Sequence, residues 1–214
     1  TINNDKNPLK DINIDTLIIG DKITHISDYL LYSNNQGVKK VQIGKKVKSI
    51  GKYAFQYEAS LNSVVFVGKD IKELGTGCFY KCTGLKNIEL PDSITRLGVY
   101  CFEDCIKLET IKLSNLLSEI PTRCFDNCES LKGIDIPESV TNVNSGALEG
   151  CSSLEYVHFS VNTKINKIDS SVFRDCVKLG RIDLPESIEK IGVQAFQGCS
   201  RLNNIPESVK FIAP

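Results

Sequence analysis

"LKNIELPDSITRLGVYCFEDCIK", residues 85–107, is followed by "LETIKLSNLLSEIPTRCFDNCES" at 108–130 and "LKGIDIPESVTNVNSGALEGCSS" at 131–153. The three stretches are one pattern written three times. Further copies start at Ile14, Val38, Leu61, Leu154 and Leu179, and a short one at Leu202. The steps between starts are 24, 23, 24, 23, 23, 23, 25 and 23 residues. A unit this short cannot bury its own apolar side chains, but a stack of such units can. The period therefore predicts a quasi-one-dimensional solenoid of about eight coils. At a parallel-strand spacing of ~4.8 Å it is roughly 40 Å long.

Each copy has three parts. Leu-x-x-Ile-x-Leu alternates and predicts a short strand with one buried face. Pro91, Pro137 and Pro185 lack an N–H and suit the strand's end. Ser-Ile-x-x-Ile, as at Ser93, Ile94 and Leu97, predicts a second extended segment. The third part opens on Gly98, Ser27, Asn144 or Asp169, which are helix N-cap residues, with Pro121 a poorer cap in one copy. It predicts a single helical turn carrying a small residue and then Cys four positions later, on one face. Short parallel strands alternating with one-turn helices give an α/β class.

The cysteines fall into two columns. One holds Cys82, Cys105, Cys128, Cys151, Cys176 and Cys199. The other alternates Cys78, Cys101 and Cys124 with Ala54, Ala147, Val172 and Ala195. A site dependent on sulfur would not accept Ala and Val at equivalent places, whereas a small buried volume does. Buried structural thiols, helping to satisfy carbonyls at the ends of the helical turns, are the favoured reading. A zinc or iron–sulfur site and inter-coil disulfides are the alternatives. In-register side chains point in parallel, with Cβ atoms near the coil spacing and beyond the ~3.8 Å a disulfide wants. Nine cysteines, an odd number, leave at least one unpaired in a monomer. Leu30, Leu31 and Asn34 replace Ala, Phe and Cys in the first coil, and Glu58 enters the Cys column, which predicts a looser coil near the N-terminus.

"LGRIDLPESIEKIGVQAFQGC", residues 179–199, resembles the BspA-like (treponemal-type) leucine-rich repeat at every position that motif specifies. The resemblance runs from Ile14 onward. It implies an elongated right-handed horseshoe, and surface-displayed proteins of anaerobic bacteria and some protists that adhere to host or matrix proteins. It brings no catalytic residues. Nothing else points to an enzyme: His25 and His158 are the only histidines, and metalloprotease, nucleophile-elbow and Walker motifs do not occur. No cofactor or metal is expected.

The same register names a binding face. The last outward position of the first strand gives Ile18, Gln42, Val65, Glu89, Lys112, Asp135, His158 and Asp183. The earlier one gives Thr16, Lys40, Ser63, Asn87, Thr110, Gly133, Tyr156 and Arg181. In a horseshoe this face is concave and is the usual binding surface. Glu89, Lys112, Asp135, Tyr156, His158, Arg181 and Asp183 form the candidate site, a mixed aromatic and charged cluster of the kind interfaces use. Ordinary solvated polar surface is the competing reading.

Lysine plus arginine equals aspartate plus glutamate at 26 each, so bulk charge favours neither nucleic acid nor membrane. No apolar run reaches the ~18 residues of a spanning helix, so membrane insertion is not expected. Locally, Lys39, Lys40, Lys45, Lys46, Lys48 and Lys52 form a run with no acid until Glu58, while residues 101–140 lean acidic. The lysines read as a solvated coil edge or a polyanion contact such as a sulfated glycan; few aromatics interleave with them, so nucleic acid is not expected.

The domain reading is a polar segment or cap at 1–13 and a solenoid at 14–214, its last coil truncated at 202–214. The polar opening "TINNDKNPLK" carries no signal peptide, as a trimmed chain would not, so export stays open. The resemblance favours the cell surface or secretion; buried free thiols also suit a reducing cytosol. Three functions stand: a protein-binding surface module, a spacer displaying another domain, and a polyanion- or glycan-binding module.

Overall fold

The computed structural model describes residues 14–31, 37–202, 205 and 207–213. The 1–13 segment and Asn34 lie outside the described residues. Each coil contributes a first strand: β1 (Thr16–Ile18), β3 (Lys40–Ile43), β5 (Ser63–Phe66), β7 (Asn87–Glu89), β9 (Thr110–Lys112), β11 (Gly133–Ile136), β13 (Tyr156–Phe159) and β15 (Arg181–Ile182). A two-residue second strand follows: β2 (His25–Ile26), β4 (Ser49–Ile50), β6 (Glu73–Leu74), β8 (Arg96–Leu97), β10 (Glu119–Ile120), β12 (Asn142–Val143), β14 (Lys167–Ile168), β16 (Lys190–Ile191) and β17 (Phe211–Ile212).

Among the described residues every strand pair is parallel and joins successive coils, as Lys40 to Ser63 and Gly133 to Tyr156 to Arg181. The first strands divide into blocks β1-β3-β5, β7-β9 and β11-β13-β15, and the second strands into β2-β4-β6-β8, β10-β12 and β14-β16-β17. The expected alternation holds: Ile134, Ile136, Val157 and Phe159 are buried while Asp135 and His158 are exposed. The prolines sit beyond the strands and accept turn bonds, with Ile94 donating to Pro91 O at 3.0 Å and Val140 to Pro137 O at 3.1 Å.

The third part is not a helical turn, and no described residue is helical. The coils from Val38 to Leu179 instead place two residues at positive φ four positions apart, as at Tyr53 and Tyr57, Gly77 and Lys81, Tyr100 and Asp104, Arg123 and Asn127, and Ser171 and Asp175. An α-helix needs φ near −63°, so one such residue ends it. A non-glycine residue there costs roughly 1–2 kcal/mol. What offsets that cost is bonding between coils. Phe55 N–H donates to Cys78 O at 2.9 Å, Phe79 to Cys101 O at 2.8 Å and Phe102 to Cys124 O at 2.8 Å. A helix would spend those donors inside its own coil. The expected N-cap position has another use: a Cβ at Gly75 would meet the Gly51 carbonyl carbon at 2.6 Å, so glycine there lets two backbones stack.

The core is a set of ladders. Phe55, Phe79, Phe102 and Phe125 stack with centroids 5.4, 5.4 and 5.5 Å apart and planes within 15°. Leu148 interrupts the column, and Phe173 with Phe196 resumes it at 5.3 Å. Phe102→Ala is expected to cost on the order of 3–5 kcal/mol, because it empties a site closed by a ring on each side; urea unfolding measures it.

Because each coil is held by its neighbours, deletion of residues 108–130 is expected to leave a shorter folded solenoid, with Leu131 following Lys107 and Cys151 next after Cys105. Deleting half that length sets strand against turn and should unfold the chain. Circular dichroism and thermal melting distinguish the two products.

Candidate functional site

The thiol columns come first, as the residues best suited to a metal. All nine cysteines are free and buried. Each second-column thiol donates to a carbonyl of the preceding coil: Cys82 to Phe55 O at 3.0 Å, Cys105 to Phe79 O and Cys128 to Phe102 O at 3.2 Å, Cys176 to Leu148 O at 3.1 Å. Burial pushes every one of these thiols up, Cys199 to about 11. A thiol so held is a poor nucleophile and a poor metal ligand. Among the described residues no group of three or more His, Cys, Asp or Glu could hold a metal ion. Iodoacetamide is therefore expected to label Cys199 first and the remaining cysteines only on unfolding, as mass mapping would show.

Glu58 breaks the ladder. It is 1 % exposed, and neither carboxyl oxygen has a hydrogen-bond partner among the described residues. Burial pushes its carboxyl up to about 7. A folded value above the unfolded one of about 4.3 gives stability that is complete below pH ~4.3 and lost as pH rises through ~7. The loss is on the order of 3–4 kcal/mol. Asp126, held up to about 7 by burial and then by Glu149 and Glu103, adds to the same window, with Arg123 pulling the other way. Glu58→Cys should restore the ladder and narrow the gap in urea stability between pH 5 and pH 8. An unchanged gap would show that Glu58 is ionised and solvated in the folded chain.

The first-strand face holds the predicted row. Glu89 is in register with Lys112, and Asp135 with His158. Tyr156, 46 % exposed, lies between Gly133 and Arg181. Its ring covers Gly133, where a Cβ would run into it. Asp183 follows β15 and is exposed. Two grooves open on this face. One of about 720 Å³ is lined by Val65, Val67, Lys69, Glu89, Asp92 and Lys112, among others. The second, about 630 Å³, is bounded by Lys112, Asn115, Asp135, Glu138, His158 and Ser160. Lys112 borders both. They lie where the sheet is interrupted, between β5 and β7 and between β9 and β11.

The six lysines of 39–52 do not share one side of the coil. Lys40 is on β3, Lys45 and Lys46 are in the turn after it, Lys48 precedes β4, and Lys52 enters the turn segment. Lys39 pairs with Asp15 at 3.2 Å. The acidic stretch maps partly to the turn side, where Arg123 reaches Glu103 at 4.0 Å and Asp126 at 3.6 Å.

A tyrosine stripe on that turn side was not foreseen. Tyr29 stacks on Tyr53 at 5.5 Å, Tyr80 meets Tyr53 and Tyr57 edge-on, and the Lys81 ammonium stands 5.2 Å from the Tyr80 ring centre. Its signal is Tyr recurring one or two places from Leu30-Leu31, Ala54-Phe55 and Cys78-Phe79.

The model of the BspA type leucine rich repeat region matches six copies, over residues 4–85 and 72–203. The chain belongs to the BspA-type leucine-rich repeat family. A leucine-rich repeat protein of T. pallidum is 28% identical over 94% of this chain and 88% of its own, with a TM-score of 0.73. One from Eubacterium ventriosum is 19% identical over 94% and 81%, with a TM-score of 0.50. A leucine rich cell surface protein of Faecalibacterium prausnitzii is 20% identical over 92% and 79%, with a TM-score of 0.38. No curated protein matches. This BspA-type protein is thus a parallel β-solenoid of about eight coils. Among the described residues no helix is long and apolar enough to cross a membrane.

Proposed function

We propose that the chain is a non-catalytic protein-binding module, displayed at the cell surface, that engages its partner through the first-strand face. The observation that carries this is the row Glu89, Lys112, Asp135 and His158 beside exposed Tyr156, lying along two grooves that meet at Lys112. An exposed tyrosine next to concave surface suits an interface anchor, and the charges of both signs around it suit the rim. Charges in such a row steer and select a partner more than they add affinity. The surface setting rests on family membership, as does the absence of a reaction. A spacer role and a glycan contact are the other outcomes of the test.

The test is capture of matrix proteins and sulfated glycans at two ionic strengths, with Tyr156→Ala combined with His158→Ala. Protein capture that resists salt and falls at least about tenfold in the double variant is expected. Both positions face solvent, so stability should move by no more than about 0.5 kcal/mol each. Glycan capture with steep salt dependence, or capture unaffected by the double variant, would defeat the reading.

A further inference from the structure

Stacking gathers lysines that the sequence keeps apart. The turns between first and second strands are equivalent in successive coils: Ile23 N–H donates to Gly20 O at 3.0 Å, and Val47 N–H to Gly44 O at 3.3 Å. Gly68 approaches Lys45 so closely that a Cβ there would meet its Cα at 2.7 Å, which sets Lys69 beside Lys45. Lys72 N–H donates to Lys48 O at 2.8 Å, and Lys45 N–H to Asp21 Oδ1 at 2.9 Å. Lys22, Lys45, Lys46, Lys48, Lys69 and Lys72 therefore crowd one corner of three coils, and all are exposed. Against these six lysines the same turns carry only Asp21 and Asp70. Two coil spacings make the corner about 10 Å deep along the axis. The next three coils have no lysine in the corresponding turns, at 91–95, 114–118 and 137–141.

Beside the lysines lies apolar surface. Ile18, Gln42 and Val65 form one in-register row on β1, β3 and β5. Ile18 is 63 % exposed, Val65 43 % and Val67 40 %. Val65, Val67 and Lys69 line the same groove of about 720 Å³. Burying such aliphatic surface stabilises a complex, but only with a partner that has apolar groups of its own.

Resting on the protein-binding reading above, we infer that the corner of the first three coils is a docking site for an acidic, aliphatic-bearing polypeptide segment. Its carboxylates face the lysines and its aliphatic side chains enter the groove at Val65 and Val67. A sulfated glycan satisfies the charge and leaves Ile18, Val65 and Val67 uncovered, so the polypeptide is the better match to both halves of the surface.

The test pans a random peptide display library on the whole chain and measures the recovered peptides by fluorescence anisotropy. Peptides enriched in Asp or Glu together with Leu, Ile or Val are expected. Their binding should weaken about tenfold or more in Lys22→Glu/Lys46→Glu/Lys69→Glu, weaken in Val65→Asp, and fall as salt rises. Lys86→Glu/Lys107→Glu/Lys178→Glu carries the same charge change elsewhere and should bind as the parent does. Melting checks that each variant folds, and Lys→Gln and Val65→Ser replace any that does not. Recovery of no binders, or of peptides without acidic enrichment, overturns the inference. Full competition by heparin with no effect of Val65→Asp overturns it in favour of a glycan site. Peptides lost on Tyr156→Ala but indifferent to the corner variants overturn it while sparing the first-strand reading.

Discussion

Every coil lies on a near copy of itself, and its backbone donors bond to that copy. Phe55 to Cys78, Phe79 to Cys101 and Phe102 to Cys124 are the same bond made three times. This decides which side chains the core accepts: each must tolerate its own kind at one strand spacing above and below. Planar rings do so by stacking, as Phe79 does between Phe55 and Phe102. Thiols do so by pointing past one another at carbonyls, as Cys105 does at Phe79 O. A carboxylate does not, because no neighbour neutralises it, and Glu58 is pushed toward its neutral form.

The same constraint explains how far the fold was legible. Strand register needs only a count of residues, and the predicted neighbours Asp135 and His158, or Gln42 and Val65, are the observed ones. The turn segment was misread because Ala54 and Glu58, or Cys78 and Cys82, stand four apart, the spacing of one helical face. A second clue pointed the other way. The residue before each second-column Cys is Lys81, Asp104, Asn127, Gly150, Asp175 or Gly198. Asp, Asn and Gly are the residues that enter the left-handed region most readily. All six have positive φ. Capping and left-handed turns draw on the same small polar residues, and only the position relative to Cys separates them.

The candidate surface was legible in one dimension. Positions along a strand follow from alternation, so the row from Glu89 to His158 could be written down from the repeat. Corners between strands are different, because their neighbours come from other coils at a separation of 23 or 24 residues. The run Lys39 to Lys52 looked like one strip because it is continuous in sequence. Folding carries Lys40 and Lys52 to different sides and brings Lys22, Lys69 and Lys72 to the corner held by Lys45, Lys46 and Lys48. The Tyr29, Tyr53, Tyr57 and Tyr80 stripe was hidden for the same reason.

Departures from the repeat are where a solenoid can become specific, since a perfect stack presents the same surface at every level. The coil from Leu61 carries one residue more between its first Leu and Ile71 than the coil from Leu85 carries between Leu85 and Ile94. The extra position falls in the turn at 68–70: Val67 N–H still donates to Ile43 O at 2.9 Å, and the register resumes where Lys72 N–H donates to Lys48 O at 2.8 Å. It coincides with the interruption between β5 and β7 and with the groove there. The second interruption, between β9 and β11, comes without an added residue. There Leu113-Ser114 stands where other coils have Leu-Pro or Ile-Pro, and the groove reaches His158. The two grooves thus arise from different local breaks in one ladder and carry different side chains, the first Val65 and Val67 beside Lys69, Glu89 and Asp92, the second Ile136 and Pro137 beside Lys112, Asp135 and His158. A partner spanning both must match a different set of side chains at each level, which a short repetitive ligand cannot do and a folded protein surface can.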